Sequence, residues 1–170
     1  GDEPPIPTKA TEHAFDFAGA DFGRGNGRNV LILAGGTGAG KTTAATLCAL
    51  LATSASPALI RAGELERRGR YDRDFGRWLD SRTLLVLDDL GTEPLDGKGY
   101  FVALLDEIVD RFCSEEKPLV VTTNLAVQRS KPDDQPQITE RYEARVVSRL
   151  FESSTWAACG NEDLRRSGGR

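Results

Sequence analysis

Gly35-Gly36-Thr37-Gly38-Ala39-Gly40-Lys41-Thr42 is the stretch whose residue types and spacing most clearly suit chemistry. It fits GxxxxGK[ST], a pattern made for a phosphate chain. Its glycines let the backbone curl so that successive N–H groups converge, and a helix starting at Lys41 adds the positive end of its dipole. The Lys41 ammonium can reach the β- and γ-phosphates of ATP, and the Thr42 hydroxyl can hold Mg²⁺. The plain alternative is a glycine-rich turn with no ligand. Against it, the apolar run Val30 to Ala34 reads as a strand entering the loop, and Lys41 to Ala52 as a helix leaving it. The candidate nucleotide-binding residues are Gly35, Gly36, Thr37, Gly38, Ala39, Gly40, Lys41, Thr42 and Thr43.

A phosphate loop needs an acidic counterpart, and Leu84-Leu85-Val86-Leu87-Asp88-Asp89 supplies one as a buried strand ending in two carboxylates. Asp88 is expected to hold Mg²⁺ with Thr42, and Asp89 to orient or deprotonate the attacking water. A lone Asp there would fit an acidic strand end equally well; the adjacent pair favours chemistry. A third apolar run, Leu119 to Thr122, leads to Asn124, which is placed to orient the lytic water, although Asn at a strand end is also ordinary turn chemistry. Between Leu65 and Trp78, arginines alternate with aromatics. Arg67, Arg68, Arg70 and Arg73 could pair with phosphates of single-stranded DNA while rings stack on bases. Asp72 and Asp74 offset part of that charge, and a solvated charged face is the alternative.

Composition limits the remaining possibilities. With 170 residues the chain is expected to form one domain with an ordinary core. The formal charge of −4 excludes a strongly basic nucleic-acid coat protein, so any DNA contact is a local patch. His13 is the only histidine, which removes Ser/His/Asp triads, Cys/His pairs and histidine metal sites. The three cysteines are odd in number and lack metal-type spacing, which suggests a reducing, cytoplasmic setting. Ala44 to Ala52 is too short to cross a bilayer, so no membrane partner is expected. There is no Met, and Gly1 is expected to be a processed or trimmed end with natural sequence upstream.

Two regions follow. Residues 1–28, rich in Pro and Gly, read as a flexible N-terminal segment that docks by Phe15, Phe17 and Phe22. Residues 29–170 read as the catalytic domain, with short apolar strands near 30–34, 58–60, 83–87, 119–122 and 155–158. Helices are expected near 41–52, 65–79, 98–113 and 139–151. Such alternation implies an α/β fold with a parallel sheet covered on both faces.

The loop, then LLVLDDLGTE, VVTTNL and ERYEARVVSRL, in that order, resemble the AAA+ ATPases of the DnaC/IstB-like group, bacterial helicase loaders and transposase helper ATPases. The resemblance runs from about Asn29 to Arg166. It implies a P-loop NTPase (AAA+) three-layer sandwich with a five-stranded parallel sheet of order 5-1-4-3-2. It also implies no helical lid domain, and a nucleotide at the junction between subunits of a self-oligomer. Asp88 and Asp89 match the Walker B pair, and Asn124 matches sensor 1. Arg149 matches an arginine finger acting in trans, with Arg145 as second candidate, and Arg165 matches sensor 2. The arginine-rich segment corresponds to a region facing a channel for single-stranded DNA.

Two departures stand out. Asp89 replaces the Glu of many AAA+ proteins, and residues 1–28 are too short to be a partner-binding domain. The expected function is ATP binding and hydrolysis to ADP, with Mg²⁺, in a replication or transposition accessory whose protein partner is a helicase or transposase. The alternative is a nucleotide-gated protein-interaction module with little turnover. A small-molecule kinase is disfavoured by LDDLG and TTN.

Overall fold

The computed structural model describes residues 7–52, 56–94, 97–126 and 136–160. Five strands, β1 (Val30–Ala34), β2 (Pro57–Arg61), β3 (Leu84–Leu90), β4 (Leu119–Thr123) and β5 (Ser154–Ala158), form one parallel sheet in the order β2-β3-β4-β1-β5. Read from the other edge this is the expected 5-1-4-3-2. The three central strands open on unbroken apolar runs, Val30–Ala34, Leu84–Leu87 and Leu119–Val121, because both faces are covered there. Val30, Ile32, Leu85, Leu87, Leu119 and Val121 enter one core cluster, while Leu31, Leu33, Leu84, Val86 and Val120 enter the other.

Helices α1 (Lys9–Gly19) and α2 (Lys41–Leu51) cover the second cluster. Helices α3 (Ala62–Tyr71), α4 (Phe75–Asp80), α5 (Tyr100–Ser114), α6 (Ile138–Arg141) and α7 (Ala144–Glu152) lie over the first. On α5 the apolar residues Phe101, Leu104, Leu105, Ile108, Val109 and Phe112 recur at helical spacing and are all buried. The single helix expected near 139–151 is two helices. Tyr142 and Glu143 are extended, with φ/ψ of −121/151° and −59/144°, and the Tyr142 ring turns into the core.

The N-terminal segment differs from the flexible linker its composition suggests. Residues 9–19 form a helix opened by a reciprocal cap, in which Thr11 N donates to Thr8 Oγ1 (3.2 Å) and Thr8 N donates to Thr11 Oγ1 (2.8 Å). Ala10, Ala14 and Phe17 face inward at helical spacing, and Phe17 meets Phe22 edge-on at 5.6 Å. Phe15 is exposed. Small alanines carry most of this face, so its periodicity is weak against the surrounding Pro and Gly. Residues 1–6 lie outside the described residues. Cys48 is a free thiol buried on α2, and burial pushes its pKa up to about 12, in keeping with a packing role. Among the described residues no helix is long and apolar enough to cross a membrane.

Candidate functional site

β1 delivers the chain into the loop at Gly35 and α2 takes it away at Lys41. Gly38 and Gly40 have φ of 82° and 77°, which glycine adopts without the Cβ clash other residues meet. Gly35 has a different requirement: a Cβ there would lie 2.6 Å from the Gly160 carbonyl oxygen, so only glycine lets the loop pack against the end of β5. Lys41 is buried, and its Nζ donates to the carbonyls of Gly35 (2.8 Å) and Gly36 (2.6 Å).

Asp88 is also buried, and its Oδ1 accepts from Thr42 Oγ1 at 2.9 Å and Thr122 Oγ1 at 2.7 Å. The two residues expected to share a metal are therefore joined directly. A hydroxyl and a carboxylate, completed by substrate phosphates and water, are the donor set Mg²⁺ favours. Among the described residues no group of three or more His, Cys, Asp or Glu could hold a metal by itself.

Asp89 owes its position to a β-bulge. Pairing steps from Leu87 opposite Val121 to Leu90 opposite Thr123, so Asp88 and Asp89 together face Thr122. In a regular strand adjacent side chains leave on opposite faces; here both carboxylates line one cavity. Asp89 has φ of 58°, an uncommon conformation for a residue with a Cβ. It is held by its N–H donating to Thr122 Oγ1 (2.8 Å), and by Thr92 Oγ1 and N–H donating to its carbonyl at 2.8 and 3.2 Å.

The cavity, of about 660 Å³, is lined by residues 37–43, Asp88, Asp89 and Asn124. Gly35 and Gly36 stand behind its wall and give their carbonyls to Lys41. Asn124 Oδ1 is buried with no hydrogen-bond partner among the described residues. Such an atom costs about 1–3 kcal/mol, which a bound polar group would relieve. Four further lining residues were not foreseen: Arg61, in register with Asp88 at the end of β2; Thr92; and Thr8 and Thr11 from α1. Thr122, shared by Asp88 and Asp89, was also missed, although it stands in the TTN stretch.

Arg149 does not line this cavity. Its NH1 pairs with Asp106 (3.0 Å) and Asp110 (3.1 Å) on α5, and Arg145 pairs with Asp106 at 3.2 Å. Arg145 is the more exposed of the two, at 68% against 33%. Arg165 lies outside the described residues.

The arginine-rich segment divides in two. Arg68 pairs with Asp72 (3.1 Å) and stacks over Trp78 at 4.2 Å; Arg70 pairs with Glu66 (2.7 Å) and stacks over Tyr100 at 4.3 Å. The Asp74 N–H and then Arg68 hold the Asp72 carboxyl below its usual range. Arg67 and Arg73 are exposed and make no ion pair among the described residues, and Tyr71 between them is 76% exposed.

The chain matches no protein-family model and no curated protein. Among solved structures it is similar to the crystal structure of the DnaC helicase loader, at 22% identity and a TM-score of 0.65, over 92% of this chain and 93% of that one. It is also similar to DnaI, at 21% identity and a TM-score of 0.64, over 95% of this chain and 87% of that one. A third is the replication initiator DnaA bound to AMPPCP and single-stranded DNA, at 20% identity and a TM-score of 0.61, over 88% of this chain and 44% of that one. The chain thus shares the fold of the DnaC helicase loader and DnaI structures, as the resemblance implies.

Proposed function

We propose that this chain is a Mg²⁺-dependent ATPase of the AAA+ type that works as an oligomer on DNA, as a replication or transposition accessory. The observation that carries this is the convergence of Lys41, the Thr42–Asp88 pair, Asp89 and Asn124 on one cavity. The backbone N–H groups of residues 37–42 and the Lys41 ammonium bind the phosphates. Mg²⁺ held by Thr42 and Asp88 would offset phosphate charge. Asp89 accepts a proton from water as its oxygen attacks the γ-phosphorus in line, and ADP leaves from the opposite side. Asn124 Oδ1 accepts from that water and fixes its direction.

Arg149 reaches no nucleotide of its own chain and serves the next subunit, exchanging Asp106 and Asp110 for phosphate oxygens as the junction closes. Arg145 is next in line. Arg67 and Arg73, with Tyr71 between them, form the DNA-facing part of α3 and the turn after it. Support for a DNA partner comes from the fold shared with a DnaA structure that holds single-stranded DNA.

Mixing two inactive variants tests this assignment. Arg149→Ala should bind ATP normally yet hydrolyse it about 10³-fold or more slowly, the usual scale for an arginine finger. Asp89→Asn should also bind ATP and lose about 10²-fold or more in turnover. Together they should recover partial turnover, because some junctions join an intact Asp89 to an intact Arg149. No recovery in demonstrated co-assemblies would remove Arg149 from the site. ATP remaining bound to the wild-type chain for hours without turnover would replace the ATPase by the nucleotide-gated module.

A further inference from the structure

Among the described residues Glu93 is the least accessible carboxylate that the hydrolysis step does not use. Its side chain is 0% exposed, and it lies at the end of the turn that begins with Asp89. Every hydrogen-bond partner of its carboxylate among the described residues is a donor. Gly91 N–H donates to Oε2 at 2.9 Å; Tyr142 Oη and Arg141 Nε donate to Oε1 at 2.6 and 3.0 Å. The Arg141 guanidinium also donates to the Glu93 backbone carbonyl. Burying a carboxylate so completely is costly unless it is paired and hydrogen-bonded throughout, and here it is. Burial, with Glu93 beside it, pushes the Tyr142 phenol far up, so that hydroxyl remains a donor.

These partners sit on two elements with different tasks. Gly91 belongs to the turn 89–93. With φ of 106°, it lies so close to Leu125 that a Cβ would stand 2.9 Å from that side chain, next to Asn124. Through Thr92 the same turn holds the Asp89 carbonyl and its left-handed backbone. Arg141 and Tyr142 close α6, and one residue further on Glu143 caps α7, which carries Arg145 and Arg149.

We propose that Glu93 is a positioning residue that ties the Asp89 turn, which serves the chain's own nucleotide, to the α6–α7 segment that presents an arginine to the next subunit. The link rests on the ATPase reading above and deepens it. A carboxylate is required because Gln offers one acceptor and one NH₂ donor. Whichever way Gln is turned, a donor then faces either Gly91 N–H or the Arg141–Tyr142 pair.

The test uses the full chain with Glu93→Gln and the milder Tyr142→Phe, which deletes one hydrogen bond and keeps the ring. Affinity for a fluorescent ATP analogue should stay within about threefold, because the phosphate loop is untouched. Turnover should fall about 30-fold or more for Glu93→Gln and several-fold for Tyr142→Phe, since small misplacements of reacting groups cost up to about 10²-fold. In mixtures, Glu93→Gln should recover activity neither with Asp89→Asn, which supplies an intact Arg149, nor with Arg149→Ala, which supplies an intact cavity.

Turnover within twofold of wild type, or recovery in either mixture to the level of the Asp89→Asn plus Arg149→Ala control, overturns the proposal. So does an affinity loss as large as the turnover loss, the mark of a merely structural residue. If the control itself recovers nothing, the trans assignment of Arg149 fails and the two-sided link fails with it. A turnover loss at constant affinity would still separate that outcome from a structural effect. If Glu93→Gln does not fold, Tyr142→Phe carries the same comparisons.

Discussion

Two of the places where the chain holds cations, the Gly35–Thr42 loop and α3, are treated differently. At the loop, Lys41 Nζ donates to the carbonyl oxygens of Gly35 and Gly36, and the nearby Asp88 carboxylate accepts from the hydroxyls of Thr42 and Thr122. Carbonyls and hydroxyls of this kind can be displaced by a ligand carrying phosphates and a metal. Along α3, Arg68 and Arg70 are each closed by an acid four residues away and by a ring from elsewhere in the fold. Clustered charge is therefore a weak guide to a binding surface. What distinguishes a site is whether the charges are satisfied by one another or by groups a ligand can displace.

The largest effect that tests this contrast is expected from Lys41→Ala. Removing the one ammonium at the loop should lower ATP turnover by about 10²–10³-fold, on the scale of losing a preorganised electrostatic group, with the thermal transition unchanged. Equal turnover would erase the distinction between the two regions. Next, if Asp89 is the general base and Asp88 the metal anchor, as proposed, Asp89→Asn should lose about 10² or more in turnover while ATP and Mg²⁺ stay bound. Asp88→Asn should instead change the Mg²⁺ dependence. The opposite pattern would exchange their roles.

Smaller effects sharpen the other half of the comparison. Arg67→Ala with Arg73→Ala should reduce the slope of log affinity for single-stranded DNA against log salt by about 1.4, for two phosphate contacts. Arg68→Ala with Arg70→Ala should leave that slope nearly unchanged and cost about 1–2 kcal/mol of stability in lost ion pairs and stacking, read by denaturant unfolding. If both pairs lower the slope equally, the division of the segment is wrong; if neither does, the segment is a solvated face. The smallest effect is at Asp72, whose carboxyl is held below the ordinary 3.8 by the Asp74 N–H and Arg68. A lowered carboxyl stabilises the fold above its unfolded value, and that contribution disappears as pH falls through the lowered one. Arg68→Ala should move the Asp72 titration, followed by NMR, part of the way back toward 3.8.

Much of this was legible before the fold was known. Three strands buried on both faces had to be continuous apolar runs, and these gave the central sheet within a residue or two, except that β3 continues through Asp88 and Asp89 to Leu90. α1 was obscured because Ala10 and Ala14 signal burial weakly beside a Pro-rich start. The ion pairs Arg68–Asp72 and Glu66–Arg70 follow helical spacing and could have been read from it. Their closure by Trp78 and Tyr100 could not.

By itself the sequence determined the Gly35–Thr42 turn, because the glycines, Lys41 and Thr42 lie within eight successive positions, and strand-to-helix geometry sets their arrangement within a few bonds. It also determined that two acids must end a buried strand beside that loop. Tertiary structure alone decided where those acids lie: the bulge opposite Thr122 brings Asp88 and Asp89 to one cavity, and that bulge depends on pairing with a strand whose Thr122 is 33 residues beyond Asp89. It likewise brought Thr8 and Thr11 to the cavity wall, docked Arg149 on Asp106 and Asp110, and buried Glu93 between Gly91 and Tyr142. Each of these joins residues far apart in the chain, and only the packing of sheet and helices fixes the distances between them.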